Sequence, residues 1–294
     1  MKLMQFKYFD EIRLGMKTEA GVVDVKAASE ALDLSVPFTM ESAIAGGDSA
    51  REQLETLCAA ALTQNSPSYV LNEAILAFAP VVSRPQKIIC VGLNYRKHAE
   101  ETKAEIPTSP ILFNKFANAL SAHGDHIELP LTSDEVDYEA ELAIIIGKTA
   151  KNVEETDALN YVYGYSCAND LSARNLQRRT SQWMLGKSCD GFAPIGPYIV
   201  TADEVDNPDN LAISCSVNGI QKQNSNTSDM IFSCSAIISY VSKHMTLVPG
   251  DIILTGTPEG VVLGYPRDQR VYLQTGDLVE VAIEQLGKLT VQMT

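Results

Sequence analysis

No stretch of about 18 apolar residues occurs in this 294-residue chain, so the sequence offers no transmembrane helix. Positive charge is scarce as well: 23 Lys and Arg stand against 37 Asp and Glu, a net charge of −14. Nucleic-acid and anionic-membrane partners both require clustered cations, so neither is expected. No CxxC is present, and the six cysteines (58, 90, 167, 189, 215 and 234) are scattered among apolar neighbours. Buried, reduced thiols in a cytoplasmic protein are the expectation. The opening segment MKLMQFKYFDEIRLG puts charges where a signal peptide would need its apolar core. Low-complexity segments and clear internal repeats are also lacking. With 45% hydrophobic and 20% charged residues, the chain reads as an ordinary globular protein able to bury a sizeable core.

Residues 1–80 read as a small α+β unit. Short strands around Gly15 and Gly21 are expected over Met1–Val25, and the Ala-, Leu-, Glu- and Met-rich Pro37–Gln64 reads as helical. Pro80 and Pro85 bracket VVSR, which reads as a linker. From 85 to 294 strand-like runs recur, among them IICVGL (88–93), ELAIIIG (141–147), YVYGYSCAND (161–170), DIILTGT (251–257) and DLVEVAIEQLG (277–287). Helical patterns are few, the best lying near 171–182 and 229–244. Many strands and few helices predict an α+β, mainly β catalytic domain with a curled or barrel-like sheet. Regular strand–helix alternation, the mark of a doubly wound fold, is missing.

The most informative stretch is VDYEAELAIIIG, 136–147. At strand period two, Asp137, Glu139 and Glu141 share a face that continues as Ala143 and Ile145. Like charges side by side are tolerated if that face is wet, or if a cation sits between them. Asp170 ends an apolar run and suits either a site or the N-cap of a helix beginning near Leu171. Together, Glu139, Glu141 and Asp170 would supply three hard oxygen ligands, suited to Mg²⁺ or Mn²⁺ and not to structural zinc.

In GLNYRKHAEE, His98 and Glu101 are three apart and become neighbours if the segment is helical. A carboxylate beside an imidazole fixes its tautomer and raises its basicity, as a general base requires; a surface histidine beside a chance Glu is the alternative. Lys187, in the polar turn GKSCD, suits pairing with a substrate carboxylate or developing charge, or simple solvent exposure. Arg174 and Gln177, three apart after Asp170, suit one cavity face, with an ion pair to an acid as the alternative for Arg174. LTGTPEGV, 254–261, makes a polar turn whose N–H groups suit a carboxylate, without the Gly-Lys-Ser/Thr of a phosphate loop. His123 and His126 lack the spacing of four that metal-binding helices use, and read as loop residues.

Taken in order, GLNYRKHAEE, VDYEAEL, CANDLSARNLQ, GKSCDGFAPIGP, NSNTSDMIF and TGTPEGV resemble the fumarylacetoacetate hydrolase family over about residues 85–294. The resemblance implies a mixed β-sheet roll preceded by a small N-terminal domain. It implies a metal held by Glu139, Glu141 and Asp170, and a catalytic dyad of His98 and Glu101 carried on a lid. Lys187 matches the family's active-site lysine, while Arg174, Gln177 and Thr257 match positions lining the substrate pocket. Asn175 departs from the Asp that many relatives carry there. Homodimers are common in the family.

The expected function is a Mg²⁺- or Mn²⁺-dependent hydrolase that cleaves a C–C bond of acylpyruvate-like 2,4-dioxo acids, a small-molecule oxo-acid substrate. His98 and Glu101 would activate water, and the cleavage would release a stabilised enolate. The alternative is an isomerase, tautomerase or decarboxylase of 2-oxo acids such as 2-hydroxyhepta-2,4-diene-1,7-dioate or oxaloacetate, since each needs the same enolate. A non-catalytic binding module would have lost a ligand or the dyad; all five positions are present.

Overall fold

The computed structural model describes residues 1–64 and 67–294. Strands β1 (Lys2–Tyr8), β2 (Glu11–Thr18) and β3 (Gly21–Asp24) form an antiparallel meander. Asp24 then accepts the Ala27 amide and caps α1 (Val25–Leu32). A reciprocal Thr39–Ser42 cap starts α2 (Met40–Leu62), which kinks at the non-helical Gly47. β4 (Val70–Leu71) and β5 (Ala77–Ala79) pair with β3 and β1 respectively.

Past Pro85 come β6 (Ile88–Gly92), the short helix α3 (Arg96–Thr102) and β7 (Ile111–Lys115). Three two-residue strands follow: β8 (Leu120–Ser121), β9 (His126–Ile127) and β10 (Val136–Asp137). β11 (Ala140–Ile146), β12 (Val162–Asn169) and β13 (Ser172–Ala173) lead into the helical turns α4 (Arg174–Gln177) and α5 (Met184–Lys187). The chain continues through β14 (Ala193–Thr201), β15 (Ala212–Val217), β16 (Ile220–Asn226) and α6 (Cys234–His244). β17 (Ile252–Leu254), β18 (Leu278–Ile283) and β19 (Gly287–Met293) complete it.

The fold is α+β and mainly sheet, as the strand-rich pattern predicts. A 12-stranded mixed sheet runs β4-β3-β2-β1-β14-β12-β11-β17-β6-β7, with β5 and β8 paired at its side. A 5-stranded sheet runs β16-β15-β18-β19-β9, and β10 pairs with β13. Strand β11 lies between β12 and β17 and is buried throughout. Leu142, Ile144 and Ile146 enter one hydrophobic cluster and Ala143 and Ile145 another, so both faces are covered. That is why its sequence is a continuous apolar run and not an alternation. β1 also pairs with β14, so the N-terminal meander shares a sheet with strands after Pro85. Leu3, Met16 and Ala43 accordingly share a cluster with Ile195 and Leu254, and Val81 and Val82 between the prolines are buried in it.

Two local expectations need correction. The helical pattern near 171–182 yields only the four-residue α4, because Ser172 and Ala173 are taken up in a ladder with Asp137 and Val136. The strand expected over 136–147 is broken between Asp137 and Ala140. There the Glu139 amide turns to the Asn169 side chain instead of a strand partner, at 2.9 Å.

Candidate active site

That break sets the site. β11 and β12 end side by side with Ala140 opposite Asn169, and the Asp170 amide donates to the Glu139 carbonyl at 2.9 Å. Glu139 and Asp170 are therefore cross-strand neighbours at the end of the ladder, and Glu141 projects one turn of the pleat further in. Carboxylate oxygens of Glu139, Glu141 and Asp170 lie within 4.8 Å of one another, and all three residues are buried. Asp170 is not a helix cap: α4 is preceded by Ala173, with no side-chain cap.

Three buried cations answer these acids. The Lys187 ammonium donates to Glu139 Oε2 at 2.7 Å and to Asp170 Oδ2 at 2.6 Å. Arg174 Nη1 lies 2.7 Å from Glu139 Oε1, and its Nε donates to Asp137 Oδ2 at 2.9 Å. Lys115 Nζ lies 2.6 Å from Asp170 Oδ1 and donates to the Leu171 and Phe192 carbonyls. Solvent exposure is thus ruled out for Lys187, and Arg174 does make an ion pair. Its Nε and Nη1 are committed to protein acceptors, Nη1 also donating to Gln177 Oε1 at 3.0 Å.

The charges do not balance. Asp137, Glu139, Glu141 and Asp170 face Lys115, Arg174 and Lys187, so with every group ionised one buried negative charge would be left over. Burial would raise the Glu139 carboxyl, but Lys187 and Arg174 outweigh it and hold it well below the usual carboxylate range. Glu141 has no such partner. Burial, then the Asp170 and Glu139 charges, push its carboxyl well above the usual range. Its one protein hydrogen bond among the described residues runs from the Gly256 amide to Oε2, at 2.7 Å. One acid in excess of the buried cations, with a free carboxyl oxygen beside two other carboxylates, makes a donor set that fits a hard divalent cation.

The polar turn at 254–261 does cradle carboxylates, and they are the protein's own. Gly256 donates to Glu141, and Gly260 donates to Glu101 Oε2 at 3.0 Å. Gly256 has φ of 99°, and a Cβ there would meet the Asn94 Cβ at 2.7 Å, so both conformation and space require glycine. Thr257 Oγ1 accepts from Gln223 Nε2 at 2.9 Å, while Gln223 Oε1 accepts the Ala140 amide at 2.9 Å. One buried amide side chain thereby ties the turn to the backbone between Glu139 and Glu141.

Helix α3 brings His98 and Glu101 together, with Nδ1 2.8 Å from Oε1. His98 is buried and not a surface residue. With Nδ1 engaged by a carboxylate, the neutral imidazole presents its Nε2 lone pair. A cavity of about 230 Å³ is lined by His98, Glu139, Glu141, Lys187, Thr257 and Gln177, and also by Arg174. Glu101 stands behind His98, and Asp170 behind Lys187.

Two residues of this cluster, Lys115 and Gln223, have no pattern in the sequence that places them here, and a third, Asp137, has a different role from its acidic neighbours. Lys115 ends the edge strand β7, where a lysine carries no pattern of its own; a cation closing the apolar run ILFNK was the available signal. Asp137 shares the strand pattern of Glu139 and Glu141 but serves Arg174 and the Val262 and Leu263 amides. Gln223 lies in the polar run IQKQNSN, which gives no hint of burial.

The family model described as fumarylacetoacetate (FAA) hydrolase C-terminal matches residues 87–294. The mitochondrial oxaloacetate tautomerase of Xenopus laevis is 42% identical over 296 residues, covering 99% of this chain and 89% of that protein. The fumarylacetoacetate hydrolase of Exiguobacterium antarcticum aligns with a TM-score of 0.80 at 32% identity, covering 100% of this chain and 99% of that one. Maleylpyruvate hydrolase of Sphingobium sp. SYK-6, solved with manganese(II) and pyruvate, gives a TM-score of 0.79 at 33% identity, with coverage of 100% and 99%.

Proposed function

The chain belongs to the fumarylacetoacetate hydrolase family of enzymes, and we propose that it is a divalent-metal-dependent tautomerase of short 2-oxo dicarboxylates such as oxaloacetate. The observation that carries this reading is that an oriented imidazole, His98, lines the same small cavity as Glu139 and Glu141. At about 230 Å³ the cavity lies below the roughly 300–1,000 Å³ usual for ligand pockets, which favours a compact substrate. Similarity to a named oxaloacetate tautomerase runs the length of the chain at 42% identity, against 32–33% for the hydrolase structures.

Glu139, Glu141 and Asp170 would hold Mg²⁺ or Mn²⁺, which when bound supplies Lewis acidity toward the 2-oxo oxygen of the substrate. His98 takes the C3 proton at Nε2, and the electron pair passes to the 2-oxygen. The same nitrogen returns that proton to the oxygen, giving the enol; the reverse path ketonises it. Glu101 stabilises the imidazolium between the two transfers. Lys187 and Arg174 keep Glu139 ionised throughout, and Thr257 and Gln177 offer hydrogen-bonding groups to the bound oxo acid.

Hydrolysis of acylpyruvates is the second reading, favoured by the manganese- and pyruvate-bound hydrolase neighbour. There His98 would take a proton from water as its oxygen attacks the distal carbonyl; the bond from that carbon to C3 would then break, leaving a carboxylic acid and the pyruvate enolate, which takes the proton back at C3. The assembly is proposed as a homodimer. Six unpaired cysteines suit a reducing compartment, cytoplasmic as expected or mitochondrial as in the tautomerase relatives.

Both reactions are to be assayed with Mn²⁺-loaded protein: loss of the enol absorbance of oxaloacetate, and release of pyruvate plus a carboxylic acid from acylpyruvates. Ketonisation well above the metal-and-buffer rate is expected. Acylpyruvate cleavage without any acceleration of ketonisation would replace the first reading with the second.

A further inference from the structure

The residues that line the cavity differ in burial. Its floor, with Glu139, Glu141, Lys187 and Thr257, is buried, whereas Thr102, Ala104 and Trp183 are half-buried and Arg178 is exposed. The walls between are apolar and aromatic: Phe113 and Trp183 meet edge-on at 5.3 Å, and the indole covers Gly92 so closely that a Cβ there would lie 2.6 Å from it. Charge divides in the same way. Arg174 and Lys187 on the floor are bound to acids at 2.6–2.9 Å. Arg178, the remaining Lys or Arg lining the cavity, has Glu135 Oε2 as its nearest acid at 3.5 Å, and its side chain is 47% exposed. Its Nε lies 3.5 Å from the Arg174 carbonyl, at the limit of a hydrogen bond. The guanidinium is held at the mouth without being saturated.

We propose that Arg178 is a specificity-determining residue that binds the distal carboxylate of a dicarboxylic substrate. The inference rests on the proposed function, since it assumes that the 2-oxo acid end enters toward the acidic floor. A four-carbon diacid oriented that way directs its second carboxylate outward, past the apolar walls, toward the half-exposed guanidinium of Arg178. A planar guanidinium can receive that carboxylate through paired N–H donors. A monocarboxylate of equal length offers Arg178 nothing. The guanidinium then stays in water at little cost, so discrimination arises from a gain for the diacid.

The test uses Mn²⁺-loaded wild type and Arg178→Gln, and two non-reacting ligands of equal length: malate, with a distal carboxylate, and 2-hydroxybutyrate, with a distal methyl. Calorimetry on the wild type should show malate binding about tenfold or more tightly than 2-hydroxybutyrate, the size of one charge-assisted hydrogen bond. Arg178→Gln should remove most of that preference by weakening malate alone, and Arg178→Lys should restore part of it. Equal weakening of both ligands, which a structural role would produce, overturns the proposal, as does an unchanged preference. Turnover is measured separately on the wild type with oxaloacetate. An Arg178-dependent malate preference without turnover would uphold Arg178 and reject the tautomerase reading.

Discussion

Glu101 holds His98 with one carboxylate oxygen, Oε1 at 2.8 Å from Nδ1, and accepts the Gly260 amide with the other at 3.0 Å. A single side chain therefore orients the candidate base and ties its helix to the loop that also supports Glu141. Replacing Glu101 with Gln keeps the shape but removes the charge that stabilises the imidazolium. The turnover number should fall by about 10–100-fold with little change in melting temperature. His98→Gln should cost on the order of 10²–10⁴. Steady-state rates on folded, Mn²⁺-loaded variants decide this; wild-type turnover in His98→Gln would remove the imidazole from the reaction.

Gly264 gives that contact its room. A Cβ at 264 would lie 2.5 Å from Glu101 Oε2, too close to coexist with the present carboxylate position. Gly264→Ala should displace Glu101 and lower turnover about tenfold or more, while divalent-ion binding stays near wild type. Crystallography of the variant would show the shifted carboxylate; unchanged turnover would mean that the loop yields instead.

Lys187 spans Glu139 and Asp170, so it stands in part for the positive charge that the acids lack. Lys187→Met should destabilise the metal-free protein by about 3–5 kcal/mol, the usual cost of leaving buried charges unpaired. Mn²⁺ should then stabilise this variant by a larger margin than it stabilises the wild type. Thermal melts with and without Mn²⁺ measure both margins, and equal margins would contradict the charge argument.

Glu141 binds its proton more tightly when folded than when unfolded, because burial and its acidic neighbours disfavour the anion. The sign follows: this group detracts from stability as pH rises above its unfolded value of 4.5. Cation binding must displace the proton, so divalent affinity should rise with pH through the elevated range. Calorimetry in buffers of different ionisation enthalpy should detect proton release on Mn²⁺ binding. Glu141→Gln should raise the metal-free melting temperature by about 2 °C or more and abolish the Mn²⁺-induced shift. A lower melting temperature would show that Glu141 is not strained by its neighbours.

Much of this was readable from the residues, for reasons that can be named. Strand β11 announced itself as an unbroken apolar run because both of its faces are covered. The His98–Glu101 pair is legible because i,i+3 spacing places two side chains on one face of a helix. Asp170 is legible as the polar end of an apolar strand. The break at Tyr138–Glu139 was not legible, since it depends on the Asn169 side chain replacing a ladder partner. Nor was the tie through Gln223, which reaches residues 83 and 34 positions away in the chain. Short-range pattern carries the elements; these long-range amide contacts carry the site's final shape.

All of these expectations require one divalent ion shared by Glu139, Glu141 and Asp170. Anomalous diffraction from crystals soaked in Mn²⁺ tests that directly. The account predicts a single strong peak with an oxygen of each carboxylate at about 2.1 Å, as for hard six-coordinate cations. Density elsewhere, with Glu139 and Asp170 still held by Lys187, Lys115 and Arg174 and Glu141 still held by the Gly256 amide, would contradict it.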